Sequence, residues 1–361
     1  MRTPSAGQMA WRLRGGKYMR KKSKIIASSL IALSLFAAAC GSDDEASDGI
    51  IAGVAFDTGG RGDGTFNDSA ATGGEQAASE LGADVQELEA TVDEDRKANL
   101  ELLVEGGAKV IVGVGFMFTD PMTEIATANP EVAFGIVDGF IGGACADAPT
   151  LTNVACLLFA AGQGSFLVGA AAALKSETGH IGFIGGQEID LIKEFEAGYT
   201  AGAKYVNPDI IVDVKYLGPA GDNTAWGNVA GAKEIAAGWY AAGADIIYTA
   251  AGGSGAGTIE AAIEADKWAI GVDSDQYLTA GTPEAQAHIL TSMIKRVDVS
   301  VFETIKAASE GTPFAGVKMF DLSNDGVGYS TSGGYLDDIV ADLDAIKAKI
   351  VAGEITVPAM P

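Results

Sequence analysis

Residues 50–70 read "IIAGVAFDTGGRGDGTFNDSA", in which an apolar run ends in a loop of glycines and acids. The run at 50–57 predicts a buried β-strand, and the segment 67–82 after the loop has the spacing of an amphipathic helix. This unit of strand, loop and helix recurs along the chain. Apolar strands that alternate with helices are typical of parallel sheets covered on both faces.

The unit occurs in two successive series, and 361 residues are enough for two separate cores. The strand candidates lie at 50–57, 84–90, 110–116, 132–138 and 154–160, and then at 180–186, 210–218, 245–252 and 268–275. Two such series predict an α/β protein with two doubly wound parallel-sheet lobes joined by a hinge. The expected composition is 50–160 with 273–310 for lobe 1, and 161–272 with 311–361 for lobe 2.

Polar residues concentrate where these strands end. Asp57, Asp138 and Asp273 end apolar runs, and the first loop adds Phe66 and Asn67. In doubly wound sheets the functional loops lie at the carboxyl ends of the strands, so the pattern predicts a polar cleft between the lobes. Carboxylates accept hydrogen bonds from polyol hydroxyls, and aromatic faces stack on planar bases.

The first 39 residues have the features of an export signal. They hold eight Lys or Arg residues and no acid, and their apolar run at 25–39 is too short for a comfortable membrane span. The following "AAAC" resembles a bacterial lipobox, which predicts a lipoprotein signal peptide at 1–39 and lipidation of Cys40. An ordinary secretory signal cleaved near this cysteine is the alternative. The small and acidic residues at 40–49 predict a flexible tether.

The rest of the chain is strongly acidic. Because 8 of the 24 basic residues precede residue 40, the remainder holds 16 basic and 48 acidic side chains, with a net charge of −32. Such a body is repelled by a phosphate backbone, so we expect no nucleic-acid partner.

Two further cysteines, Cys145 and Cys156, flank a segment with proline and asparagine and are eleven residues apart. In an exported chain this pair predicts a disulfide bond. Two small buried thiols that never pair are the alternative.

Spacing argues against several kinds of site. An EF-hand that begins at Asp57 needs a glutamate at its twelfth position, where the chain has Asp68. The two histidines, His180 and His288, are far apart in the sequence, and no C-x-x-C motif is present. We therefore expect no metal, no cofactor and no enzymatic activity.

The glycine cluster "AGGSGAG" at 251–257 follows a strand and opens a helix. From Gly253 onward the spacing is G-x-G-x-G, whereas the dinucleotide fingerprint is G-x-G-x-x-G. We interpret the cluster as a helix N-terminus whose N–H groups face a polar ligand near Gly253. A tight turn that requires glycine is an equal alternative.

Seven segments resemble successive signatures of the basic membrane protein (BMP) family of lipoproteins. They are "AFDTGGRGDGTFNDSA", "VGVGFMFTDPM", "FGIVDG", "GGQEIDLIKEFEAGYTAGAKYVNPD", "AAGADIIYTAAGGSGAGTIEAA", "GVDSDQ" and "TSMIKRVDVSVFETI". The resemblance runs in order from about residue 50 to beyond residue 310. That family comprises purine nucleoside receptors of ABC importers with a type I periplasmic-binding-protein fold, so the resemblance implies this fold and function.

The resemblance also implies roles for individual side chains. Phe66 and Phe195, on opposite lobes, would cover the two faces of a purine. Lys295 would lie near the ribose. The acids and the amide that would contact base edges and ribose hydroxyls are Asp57, Asn67, Asp138 and Asp273.

Three of these side chains have a structural alternative. Phe66 could staple the helix that follows it, Phe195 could belong to the core, and Lys295 could be an exposed helix lysine. Two features depart from the family pattern, the glycine-rich "RGDG" at 61–64 and the bulky Trp226.

The resulting expectation is a monomeric, lipid-anchored substrate-binding protein on the extracytoplasmic face of the cell membrane. It closes on a purine nucleoside and delivers it to an ABC permease and its ATPase. The alternatives are a receptor for a sugar or another small metabolite, a secreted nucleoside hydrolase, and a surface sensor without a transporter.

Overall fold

The computed structural model describes residues 49–146, 149–312 and 314–361. The predicted signal peptide at 1–39, Cys40 and nearly all of the predicted tether at 40–49 lie outside the described residues. Of the helices in the described part of the chain, none is both long and apolar enough to cross a membrane.

The described residues form twelve strands. They are β1 (Ile51–Phe56), β2 (Asp84–Glu89), β3 (Val110–Val114), β4 (Ala133–Val137), β5 (Val154–Phe159), β6 (His180–Glu188), β7 (Ile211–Pro219), β8 (Ile246–Ala250), β9 (Trp268–Asp273), β10 (Ile289–Lys295), β11 (Gly316–Phe320) and β12 (Val327–Tyr329). The first nine coincide with the nine predicted segments to within two residues at each end.

Helices fill the connections between these strands. The α-helices are α1 (Phe66–Leu81), α2 (Asp93–Glu105), α3 (Thr119–Ala128), α4 (Gly142–Cys145), α5 (Ala161–Lys175), α6 (Asp190–Val206), α7 (Val229–Ala241), α8 (Gly255–Ala265), α9 (Gln276–Thr279), α10 (Pro283–Gln286), α11 (Val297–Ser309) and α12 (Val340–Val351). Short 3-10 turns lie at Phe116–Phe118, Asn223–Trp226 and Gly252–Ser254.

The strands form two six-stranded sheets with matching topology. The first has the order β11-β5-β4-β3-β1-β2, and the second has the order β12-β10-β9-β8-β6-β7. Every neighbouring pair is parallel except β10 and β12, which are antiparallel. Because the order repeats, β1 corresponds to β6, β4 to β9 and β5 to β10. The carboxyl ends of corresponding strands therefore occupy equivalent positions in the two lobes.

The chain crosses between the lobes three times. It leaves the first sheet after β5 and the second sheet after β10, and it returns to the second sheet between β11 and β12. At the first two crossings, the helix that follows the strand packs on the opposite lobe. Helix α5 packs against α6, and α11 packs against α1.

The lobe boundaries differ from the predicted ones in the C-terminal part of the chain, after residue 272. We expected residues 273–310 in lobe 1, but β10 pairs in parallel with β9 in the second sheet, and only α11 packs on lobe 1. Similarly, β11 pairs with β5 in the first sheet, whereas β12 belongs to the second. The reason is that β10 completes the second sheet in the place that β5 takes in the first.

Glycines allow helices α5 and α6 to approach closely. A Cβ on Gly202 would lie 1.9 Å from the carbonyl oxygen of Phe166, and a Cβ on Gly169 would lie 2.1 Å from that of Tyr199. Only hydrogen at these positions leaves room for the facing backbone. This packing attaches α5 to the second lobe immediately after the first crossing.

Cys145 at the end of α4 and Cys156 in β5 form a disulfide bond, with their Cα atoms 6.2 Å apart. This confirms the predicted pair, and the separation lies within the usual range for disulfides. The bond connects the loop after β4 to the neighbouring strand of the first sheet.

Candidate functional site

The carboxyl ends of strands from both sheets surround one cleft between the lobes. We call it the inter-lobe cleft, and both lobes contribute residues to its walls. All eight residues that the sequence singled out as ligand contacts line it, namely Asp57, Phe66, Asn67, Asp138, Phe195, Gly253, Asp273 and Lys295. The topology of the parallel sheets explains this convergence, because it brings strand ends that are distant in sequence to one edge.

Asp57 follows β1 and is held by a buried arginine. Arg96 of α2 donates to Asp57 Oδ1 from Nε at 2.8 Å, and one of its terminal nitrogens forms an ion pair with the same oxygen at 2.7 Å. Burial raises the pKa of the Asp57 carboxyl, and the Arg96 guanidinium opposes that rise. The second oxygen, Oδ2, is buried without a hydrogen-bond partner among the described residues. Asp57 thus has one oxygen fixed by Arg96 and a second one available to a ligand.

The glycine-rich loop after β1 is shaped by Asp63. Its carboxylate accepts hydrogen bonds from the backbone N–H groups of Thr65, Asn67 and Asp68 at 2.9–3.1 Å, which satisfies the start of α1. It also accepts from the Asn67 side-chain amide at 3.1 Å. Because the carboxylate can only accept, the amide atom that contacts Asp63 is the nitrogen. The amide oxygen, Asn67 Oδ1, has no hydrogen-bond partner among the described residues.

Four glycines of this loop adopt the left-handed region of backbone conformation, which explains their number. They are Gly59, Gly60, Gly62 and Gly64. Side chains other than hydrogen are disfavoured there. The loop ends at Phe66, the first residue of α1, whose ring lines the inter-lobe cleft.

Asp138 and Asp273 occupy corresponding positions at the ends of β4 and β9. Both adopt positive φ angles, 59° and 63°, which is uncommon for residues other than glycine. Local strain of this kind persists only where the surrounding structure enforces it, and it clusters at functional sites. Here it directs two carboxylates, one from each lobe, into the same cleft.

Lys295 connects the two lobes at the wall of the cleft. It ends β10, is only 2% exposed, and forms an ion pair with Asp138 of the first lobe. The alternative of an exposed helix lysine is therefore wrong. Its ammonium nitrogen lies 4.9 Å from the centroid of the Phe66 ring and 5.7 Å from that of Phe195. Two aromatic rings from opposite lobes thus flank one cation, within the range of cation–π interaction.

Phe195 lies on α6 and is 3% exposed. It belongs to the apolar core of the molecule and also lines the inter-lobe cleft, so the core and cleft placements are compatible.

The Asp273 carboxyl is almost fully buried. Burial raises its pKa to about 7, with smaller increases from the negative charges of Asp138 and Asp63, whereas the Lys295 ammonium acts in the opposite direction. Its Oδ1 has no hydrogen-bond partner among the described residues. Near neutral pH this group can therefore exchange a proton when its surroundings change.

The glycine cluster after β8 forms the turn that precedes α8. Gly253 lines the cleft, and a Cβ at this position would lie 3.9 Å from the Cβ of Asp63 on the other lobe. The turn is thus a place where the two lobes approach each other.

Several cleft residues were not identified as ligand contacts from the sequence. They are Phe116, Met117, Leu191, Ile192 and Trp226. The first two follow β3 and the next two begin α6, so their positions after strand ends were the available signal. Trp226 lies at the end of the 3-10 turn that follows β7, several residues beyond the end of the strand. Its position in the sequence therefore did not indicate that it lines the cleft.

Comparison with known proteins places this chain in a family. The family model described as "ABC transporter substrate-binding protein PnrA-like" (Bmp) matches residues 50–360. The ABC transporter nucleoside-binding protein BmpA of Lactococcus lactis is 34% identical over 364 residues, which cover 93% of this chain and 99% of that protein. A CD4+ T-cell-stimulating antigen of Listeria monocytogenes is 35% identical over 370 residues, covering 95% of this chain and 100% of that protein.

Solved structures agree with this assignment. An ABC transporter solute-binding protein from Aeropyrum pernix K1 has a TM-score of 0.71 at 28% identity and covers 86% of this chain and 94% of its own. One from Conexibacter woesei has a TM-score of 0.68 at 24% identity, covers 86% of this chain and 100% of its own, and shares the fold. These likenesses confirm the predicted two-lobe fold of the type I periplasmic-binding-protein class.

Family membership also decides the class of function. The family model describes ABC transporter substrate-binding proteins, and the Lactococcus lactis and Aeropyrum pernix proteins are named as nucleoside-binding and solute-binding proteins of such transporters. The chain is therefore a substrate-binding protein and not the nucleoside hydrolase of the alternatives. The chain, with its two lobes and the cleft between them, belongs to the Bmp family of PnrA-like ABC transporter substrate-binding proteins.

Proposed function

We propose that this protein is a lipid-anchored, monomeric receptor that binds a purine nucleoside in the inter-lobe cleft and delivers it to the permease of an ABC importer. The observation that carries the proposal is the placement of Phe66 and Phe195, from opposite lobes, on one cleft. Aromatic faces bind planar bases with little dependence on the identity of the base. The Lactococcus lactis relative, which is named a nucleoside-binding protein, supports the same class of ligand.

The polar side chains of the cleft match the rest of such a ligand. Asp57, Asn67 and Asp273 each have a buried oxygen without a partner among the described residues. Ribose hydroxyls and base N–H groups are donors that satisfy such acceptors. We assign the pentose to the side of the cleft where Asp138, Asp273 and Lys295 meet.

Calorimetric titration of the purified protein with inosine, guanosine and adenosine tests the proposal. Ribose, arabinose and myo-inositol are the matched compounds for the sugar-receptor alternative. We expect binding of at least one nucleoside and no binding of the free sugars. Tight binding of a sugar, with no heat from any nucleoside at millimolar concentration, contradicts the purine assignment.

The lipid anchor rests on the sequence around Cys40. Mass spectrometry of the protein extracted from cell membranes measures the modification directly. We expect a diacylglyceryl group on Cys40 and loss of membrane attachment in Cys40→Ala. An unmodified mature N-terminus, with the protein free in the extracytoplasmic fraction, contradicts the anchor and leaves the ligand proposal untouched.

A further inference from the structure

Trp226 is held in the cleft by its own turn. Ser254 Oγ donates to the carbonyl oxygen of the preceding residue, Ala225, at 2.8 Å, and Gln187 Nε2 donates to Asn223 Oδ1 at 2.9 Å. Both donors are buried side chains of the second lobe. The 3-10 turn that carries the indole is therefore held through its backbone at Ala225 and through its side chain at Asn223.

Packing against β6 sets the direction of the indole. A Cβ on Gly186 would lie 2.3 Å from Cζ3, 2.7 Å from Cε3 and 3.0 Å from Cη2 of Trp226. These three distances place that Cβ over the face of the six-membered ring, so the benzene part of the indole lies flat against β6, in space that only a glycine at 186 provides. Nε1 belongs to the five-membered ring, and its N–H bond lies in the ring plane, so it does not point into the strand against which the ring packs.

The Trp226 N–H group is a donor among acceptors. Four buried side-chain atoms of the cleft lack a hydrogen-bond partner among the described residues, and they are Asp57 Oδ2, Asn67 Oδ1, Asp273 Oδ1 and Trp226 Nε1. The first three accept hydrogen bonds, whereas the indole can only donate. A buried donor without an acceptor is unfavourable, so a ligand that offers an acceptor at this point gains affinity.

The position of Trp226 in the sheet indicates which part of the ligand it meets. Its ring packs on β6, which is three strands away from β10 in the order β10-β9-β8-β6, or about 14 Å at the usual spacing of about 4.8 Å. Lys295 and Asp138 therefore lie at one side of the cleft and Trp226 at the other. Asp57 shares the Trp226 side, because Arg96 bonds both Asp57 and Asp93, and Asp93 accepts from Asn223 in the tryptophan's turn.

We propose that Trp226 Nε1 donates a hydrogen bond to a ring-edge acceptor of the bound heterocycle, which makes Trp226 a specificity-determining residue of the site. This inference rests on the proposed function, in which the pentose occupies the Lys295 side and the base extends toward β6. The site then selects heterocycles that carry an acceptor on that edge, in addition to the donors that its three acceptor oxygens require.

A protein-by-ligand cycle tests the inference. The proteins are the wild type and Trp226→Phe, which keeps an aromatic ring and removes the N–H group. The ligands are inosine and three analogues that lack the acceptor at N3, N7 or O6, namely 3-deazainosine, 7-deazainosine and nebularine. Nebularine also replaces the N1–H donor with an acceptor at N1, a change that is the same for both proteins in the cycle. The measurement is the dissociation constant of each of the eight combinations by calorimetry.

One analogue is expected to behave differently from the other two. Loss of a single hydrogen bond corresponds to a loss of affinity of about threefold to tenfold. Trp226→Phe should bind inosine more weakly than the wild type does by that factor. For the one analogue that lacks the acceptor, the variant and the wild type should have the same affinity. For the other two analogues, the loss relative to inosine should be the same in both proteins.

Two results overturn the inference. The first is an unchanged affinity of Trp226→Phe for inosine. The second is an equal loss for all four ligands, which indicates a packing effect of the ring. Trp239→Phe is the control, because this indole packs on Gly182 outside the cleft, and it should reproduce every wild-type value. Thermal melting of each variant verifies that it is folded.

The outcomes also separate this inference from the proposed function. If the wild type binds none of the four ligands, the nucleoside assignment itself fails. If the wild type binds inosine and the cycle shows no coupling to any analogue, only the role of Trp226 fails.

Discussion

Asn223 of the second lobe donates a 3.0 Å hydrogen bond from Nδ2 to Asp93 Oδ1 of the first lobe. The same Asp93 oxygen accepts from Arg96, which in turn holds Asp57 inside the cleft. On the other side, Gln187 donates to Asn223. A continuous series of polar contacts therefore runs from a carboxylate of the cleft to a buried side chain of the opposite lobe.

This series predicts that Asn223→Ala weakens the closed arrangement of the lobes. Hinge closure around the ligand is expected for this architecture, and a contact between lobes slows reopening. We expect the dissociation rate of the nucleoside to rise about threefold to tenfold, with little change in the association rate. Stopped-flow tryptophan fluorescence measures both rates.

The control lies in the same turn. Thr224→Ala removes a hydroxyl that donates to Asp222 of its own lobe, and it should leave the dissociation rate unchanged. Equal rates for Asn223→Ala and the wild type would show that the contact does not contribute to ligand retention.

The two aromatic rings of the cleft give a second prediction. Phe66→Leu and Phe195→Leu keep apolar volume but remove the aromatic face, and stacking on a base is worth roughly 1–3 kcal/mol. We expect each variant to bind inosine about 10-fold to 100-fold more weakly in calorimetry. Phe140→Leu is the control, since its ring is 57% exposed and is not among the cleft residues. Wild-type affinity in both cleft variants contradicts the stacking role.

Asp273 predicts a dependence of stability on pH. The folded state holds its proton up to a pKa of about 7, because burial disfavours the charged carboxylate, whereas the reference value is 3.8. Between these values the folded protein binds a proton that the unfolded chain has lost. This contribution to the free energy of unfolding is therefore fully present below about pH 4 and is lost as pH rises through 7.

Urea unfolding of the unliganded protein at a series of pH values measures this effect. The stability of the wild type relative to Asp273→Asn should fall by about 3 kcal/mol between about pH 5 and pH 8. The control variant Asp342→Asn replaces an exposed acid of α12 and should keep the wild-type slope. Parallel curves for the wild type and Asp273→Asn would rule out a proton on Asp273 in this range.

The close approach of α5 and α6 gives a fourth prediction. A Cβ at position 202 would meet the backbone oxygen of Phe166 at 1.9 Å, so Gly202→Ala must separate the helices. We expect a loss of about 1–3 kcal/mol in the free energy of unfolding. The matched control is Gly238→Ala in α7, where no heavy atom lies within 4 Å, and it should gain up to about 1 kcal/mol. Chemical denaturation measures both, and equal stabilities would contradict the helix packing.

Most of the fold could be predicted from local pattern. Seven of the nine predicted strands are nearly continuous apolar runs of the kind that parallel sheets bury on both faces, whereas the edge strands β2 and β7 carry polar residues. The alternation of strands with helices indicates two lobes. Strand β10 was not predicted, because Thr291 and Ser292 interrupt its apolar run. Both are buried, with Thr291 donating to the carbonyl oxygen of Ser330 and Ser292 accepting from Gln276 N–H. From the sequence alone, hydroxyl side chains of this kind are expected at the protein surface. Their burial is explained only by the hydrogen-bond partners that the structure provides.

The sequence by itself determined which residue types stand at the strand ends. The alternation of strands with helices and the composition of the loops depend only on residues that are close together in the chain. From that, the placement of Asp57, Phe66 and Asp273 on one cleft could be predicted. Only the tertiary structure decided the partners of these groups. Arg96 is 39 residues from Asp57 and Lys295 is 157 residues from Asp138. The first pair forms within lobe 1, where α2 packs beside β1, whereas the second forms only after the crossings bring the two lobes together. No periodicity along the chain encodes either separation.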